Sequence, residues 1–82
     1  MILADRIRQF VLATYIEPAR AARLEQVAFV SGDIQKALKL TMRYAAVCGA
    51  IDAQKFQDEN GIMLVKRTGP DQGATAEWTF RI

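Results

Sequence analysis

Leu3, Ile7, Phe10, Val11 and Thr14 recur at three- and four-residue intervals, with Asp5, Arg6, Arg8 and Gln9 filling most of the other side. That period places the first group on one face of a helix. Pro18 follows Glu17, and a residue before proline is biased away from the helical region, so the spacing predicts a stop or kink near Ile16. Pro18 itself suits a first helical position, and a further turn through Ala19, Arg20, Ala21, Ala22 and Arg23 is expected. Val27-Ala28-Phe29-Val30 is short, apolar and rich in β-formers, which predicts a buried strand. Ser31 is the expected N-cap of a second helix, whose apolar stripe is Ile34, Ala37 and Leu38, with Lys36 and Lys39 off it. Thr41 is the expected cap of a third helix running from Met42 to about Ile51. Asp52 to Gly61 is polar except for Ala53 and Phe56, leaving room for one extra helical turn anchored by Phe56 and ended by Gly61.

The period then changes from helical to alternating. Ile62 and Leu64 alternate with Met63 and Val65, and Lys66-Arg67 lead into Thr68-Gly69-Pro70-Asp71-Gln72-Gly73. Pro70 between two glycines is strong turn chemistry. Trp78, Phe80 and Ile82 then alternate with Glu77, Thr79 and Arg81, the pattern of a strand with one buried face. The two runs predict a hairpin with a loop of about six residues.

Composition narrows the choices. The 82 residues contain no repeat and no linker, so residues 1–82 read as a single domain. Hydrophobic types make up 51%, and although thirteen of them are alanine, the remainder suffices for a small core and is too much for a disordered tail. No run approaches the length of a membrane span and no signal-peptide pattern opens the chain, which makes the cytoplasm the default compartment. With no histidine and a single cysteine, an imidazole base, a disulfide and a Cys/His zinc site are all excluded. Glycines 32, 49, 61, 69 and 73 form no phosphate-cradling motif, so no cofactor is expected. Asp58-Glu59-Asn60-Gly61 lacks the ligand spacing of a calcium loop, so no metal is expected either. No pair of acidic residues stands at a catalytic spacing in an apolar setting, and the chain reads as a binder rather than an enzyme.

The order helix, short strand, helix, helix, strand, loop, strand resembles that of the winged helix-turn-helix domains. The resemblance is carried by the strand Val27 to Val30, the helix pair Ser31 to Leu38 and Thr41 to Ile51, and the hairpin around Gly69-Pro70-Asp71-Gln72-Gly73. It implies an α+β fold with a three-helix core, a short strand and a C-terminal β-hairpin wing. It further implies a transcription-regulator-like protein that docks on double-stranded DNA, with the third helix in the major groove and the wing on backbone or minor groove. Such domains often dimerise through an added helix. This chain shows no spare element, so a monomer, or a homodimer through the first helix, is expected.

Carried over by position, Thr41, Arg43 and Tyr44 in the first turn of the third helix are the groove-facing candidates, with Arg43 suited to guanine or phosphate. Lys36, Lys39 and Arg43 give a local charge of +3 between Ile34 and Ile51, more than the +2 of the whole chain. Lys66 and Arg67 on the wing, and Gln72 at its tip, are the second group of candidates. The rest of the third helix is poor in long polar side chains. Val47 and Ile51 face the core, flanked by Tyr44 and Cys48 or by Ala46 and Ala50. Its small surface favours recognition of backbone and shape over base reading. The alternative is a winged-helix protein-interaction module, with the alanine-rich helix or the hairpin edge against a partner chain. Trp78 and Phe80 are expected in the core, as is Cys48.

Overall fold

The computed structural model describes residues 2–82. Along the chain run α1 (Leu3–Val11), α2 (Glu17–Ala21), β1 (Gln26–Val30), α3 (Ser31–Ala37), α4 (Tyr44–Asp52), α5 (Gln54–Asn60), β2 (Met63–Thr68) and β3 (Glu77–Arg81). A π turn at Leu12–Ile16 joins α1 to α2 without a break, so the helices form four bodies. They pack on a three-stranded antiparallel sheet of order β1-β3-β2. The fold is α+β, with one more helical body than the expected three because 54–60 forms two turns rather than one.

Pro18 shapes the first rod. A proline inside a helix removes one hydrogen bond and crowds the carbonyl four residues earlier, here that of Thr14. The π turn widens the coil just before it, so the chain passes Pro18 instead of stopping at Ile16. The widening adds a residue to the period. Ile7 and Val11 are buried four apart, the next buried position is Ile16, five further on, and Thr14 lies exposed.

Three of the helix ends are closed by left-handed residues. Arg23 (φ 60°) and Lys39 (φ 57°) end α2 and α3, where Leu24 N–H bonds Ala19 O at 2.9 Å and Leu40 N–H bonds Gln35 O at 2.9 Å. Gly61 (φ 62°) ends α5 in the same way, as the sequence implied. A side chain in this conformation is strained where glycine is not. Arg23→Gly is therefore expected to stabilise the domain by about 0.5–1 kcal/mol, read as a higher urea midpoint with unchanged slope, while Arg23→Ala shows no comparable gain.

Two expected caps are replaced by tertiary partners. Ser31 is a buried helical residue, not an N-cap. Its hydroxyl lies 3.8 Å from Cys48 Sγ, and its N–H and that of Gly32 bond Ala76 O (2.8 Å) and Ala74 O (2.9 Å) in the hairpin loop. Thr41 does not cap the third helix either. α4 starts at Tyr44, behind Arg43, whose N–H donates to the side-chain oxygen of Gln35 at 2.7 Å.

Trp78, Phe80, Phe56, Ile7, Ile16, Ile34, Val11 and Val47 are fully buried at the centre. Phe29 stacks on Tyr15 (4.9 Å between centroids) and Phe80 (5.8 Å), and Phe56 meets Phe80 edge-on at 5.7 Å. The alternation of Trp78 and Phe80 thus marks the inner face of the sheet. β2 extends further than expected, through Lys66 and Arg67 to Thr68, and the hairpin loop spans 69–76. A register irregularity between Leu64 and Lys66 breaks the strict alternation there.

Candidate nucleic-acid interface

Lys36, Lys39, Thr41, Arg43 and Tyr44 lie together on the segment that turns α3 into α4. Gln35 builds this turn. Buried itself, it accepts Leu40 N–H with its backbone carbonyl and Arg43 N–H with its side chain, which fixes both ends of the loop. Sequence reasoning missed it, because a glutamine beside an apolar stripe resembles any boundary residue. Lys36, Lys39, Thr41 and Arg43 are exposed and Tyr44 is half-buried. Between them Met42 stands 80% exposed with φ 55°, a second strained left-handed residue in the same turn.

The charges separate into two groups. Arg8 donates to Ala50 O (2.9 Å) and pairs with Asp5 (3.3 Å), Arg20 donates to Asn60 O (2.6 Å), and Lys55 reaches Glu59 at 4.0 Å. Arg8 and Arg20 thereby satisfy carbonyls left open at the C-terminal ends of α4 and α5, a favourable place for a cation. Among the described residues Lys36, Lys39, Arg43, Lys66, Arg6, Arg23 and Arg81 make no ion pair. The first three of these fall within eight residues of chain.

The hairpin candidates diverge. Lys66 pairs with Thr79 in the strand register and stands exposed on the outer face of the sheet, away from the core side that carries Trp78. Arg67 pairs with Trp78 and turns inward. Its guanidinium binds Asp52 through two nitrogens (3.1 and 3.3 Å), lies 5.0 Å from the Trp78 ring centroid, and its side chain is 19% exposed. The hydrogen bond to Asp52 raises the already high pKa of Arg67, against the lowering effect of partial burial, so it stays charged at any ordinary pH. Gln72 is exposed in the hairpin loop.

On α4, Val47, Cys48, Ala50 and Ile51 are buried, with Tyr44 and Ala46 half-buried, so the buried arc takes part of each face the sequence left open. The exposed strip is Ala45, Gly49 and Asp52, and a methyl group added at Gly49 would meet nothing within 4 Å. All hydrogen-bond donors of long reach therefore stand at the N-terminal end of α4. The N-terminus of α3 is closed to anions, because its first two amides hold Ala76 and Ala74 of the hairpin loop.

Two surface hollows lie elsewhere. One of about 280 Å³ is lined by Asp5, Arg8, Gln9, Leu12, Glu59 and Asn60; one of about 360 Å³ by Leu24, Glu25, Arg81 and Ile82. Among the described residues no group of three acidic or thiol side chains is placed to hold a metal, and no helix is long and apolar enough to cross a membrane. No family model, no curated protein and no solved structure matches the chain.

Proposed function

We propose that this chain is a winged-helix domain that docks on double-stranded DNA through the α3–α4 turn, chiefly by contacts to phosphates. The observation that carries the reading is the trio Lys36, Lys39 and Arg43, exposed, unpaired among the described residues and held on a turn fixed by Gln35. The β1-β3-β2 sheet order and the element sequence support the same reading. Arg43, at the start of α4, is the side chain suited to a guanine edge, flanked by Thr41 and Tyr44. The bare strip of Ala45 and Gly49 lets the helix approach a groove floor closely while offering it no donor, which favours shape and backbone over sequence. Lys66 and Gln72 are second contacts from the hairpin.

Titration of a random-sequence duplex at several salt concentrations tests this. Contacts from Lys36, Lys39, Arg43 and Lys66 predict a slope of about −3.6 for log affinity against log salt. No binding at low salt overturns the reading. A second reading, a docking module for another protein, is favoured by one observation: Met42, a large apolar side chain 80% exposed at the tip of the same turn.

A further inference from the structure

The hairpin loop is strapped down at both ends. At its start the Arg67 guanidinium gathers carbonyls of the chain that follows it, with one terminal nitrogen donating to Thr68 O (2.8 Å) and the other to Asp71 O (3.1 Å). At its end Ala74 O and Ala76 O accept the first amides of α3. Gly69, with φ 84°, makes the bend between. A side chain there would place its Cβ 2.6 Å from Thr75 O. What anchors Arg67 is Asp52, at the last turn of α4, which also accepts the Trp78 indole N–H at 2.7 Å. A carboxylate at a helix C-terminus is unfavourably placed by itself. Its presence there is explained by the three donors it collects.

We propose that Asp52 is a positioning residue. Through Arg67 it fixes the loop 69–76 to the end of α4, so that helix and wing meet a duplex as one preset surface. The inference rests on the DNA reading above and assigns Arg67 the role of brace instead of phosphate ligand. The sign of one substitution separates the two roles. Asp52→Asn removes a negative charge, so if Arg67 were a phosphate ligand held back by the acid, DNA would bind more tightly. If Asp52 positions the wing, binding weakens despite the added positive charge, because the duplex must then order a loop that was ordered before.

The experiment uses Asp52→Asn, which keeps an oxygen for Trp78 N–H, and Arg67→Met, each checked for folding by circular dichroism. Amide hydrogen exchange of Ser31 and Gly32, whose N–H groups hold the loop carbonyls of Ala76 and Ala74, and of Ala76 itself is measured in the free protein, and duplex affinity is measured against salt. The positioning role predicts exchange at least tenfold faster in both variants, affinity about tenfold lower in both, and an unchanged salt slope. Tighter or equal binding by Asp52→Asn, or a slope shallower by about 0.9 in Arg67→Met, overturns it. Faster exchange with unaltered affinity also overturns it, since the loop would then be braced without serving the interface. If the parent protein binds no duplex, the DNA reading fails and the role falls with it, while the exchange data report independently whether the brace exists.

Discussion

A variant carrying Lys36→Ala, Lys39→Ala and Arg43→Ala together loses roughly 500-fold in affinity for random duplex DNA at 0.1 M salt, and its salt slope falls from about −3.6 to about −0.9. The magnitude follows from counterion release. Each phosphate contact contributes about 0.9 of a decade of affinity for every decade of salt below 1 M, so three contacts contribute about 2.7 decades at 0.1 M. The three side chains are exposed, so truncating them leaves the packing intact. Circular dichroism and the melting temperature should match the parent. Competition titrations at 0.05, 0.1 and 0.2 M salt give both affinity and slope. A variant that binds within tenfold of the parent removes the α3–α4 turn from the interface.

Phe80→Ala brings the domain to the edge of unfolding. A domain of this size holds about 4–12 kcal/mol of net stability, and deleting a fully buried phenylalanine costs about 3–5 kcal/mol. The upper half of that range applies here, because Phe80 sits between Phe29 and Phe56, and both rings lose a partner. Position 80 also belongs to the central strand, where it pairs with Val27 on one side and Leu64 on the other. The expected fall in melting temperature is about 20 °C or more. Phe10→Ala, at a half-buried position that meets Tyr15 only edge-on, serves as the comparison and should cost far less. A fall of under 10 °C for Phe80→Ala would show that the core is not centred on this ring.

The parts of this fold that were legible in the sequence are those set by local periodicity. β3 is one, because Trp78 and Phe80 alternate with polar residues and only one face of that strand can be buried. α5 is another, since Phe56 and Gly61 mark its anchor and its end. The first helix was legible up to Val11. Beyond it the period is altered by Pro18 through a π turn, and a step of three or four from Val11 lands on Thr14 or Tyr15 instead of Ile16. The caps failed for a different reason. Ser31 and Thr41 are good local caps, but contacts at a distance take over: the hairpin loop holds the amides of Ser31 and Gly32 through Ala76 and Ala74 and draws Ser31 into the helix, and Gln35 holds the Arg43 amide that Thr41 would have served.

The candidate site divides along the same line. Lys36, Lys39, Thr41, Arg43 and Tyr44 are close in sequence, and the structure keeps them together. Lys66 and Arg67 are adjacent in sequence and end on opposite faces of a strand, because a strand turns successive side chains to opposite sides. The irregularity before Lys66 decided which one turned inward. Asp52 left only an indirect signal, a lone carboxylate at the unfavourable end of a helix otherwise built from small apolar residues. Its partners lie 15 and 26 residues away in the chain, at Arg67 and Trp78. Pairings at that separation are set by the closed fold and are invisible to spacing.

The sheet order has a consequence for how the chain reaches its folded state. β1 and β2 do not touch each other as strands; each is hydrogen-bonded only to β3, the last of the three to be synthesised. As the polypeptide leaves the ribosome, the helices have local bonds to form at once, whereas both earlier strands carry unsatisfied edges until residues 77–81 emerge. A nascent chain that has passed Thr68 but not Glu77 therefore leaves Phe29 and Leu64 without the Trp78 and Phe80 they pack against. Sheet formation is then a single late event that joins residue 26 to residue 81, a long loop closure that slows folding relative to a helical bundle of equal length.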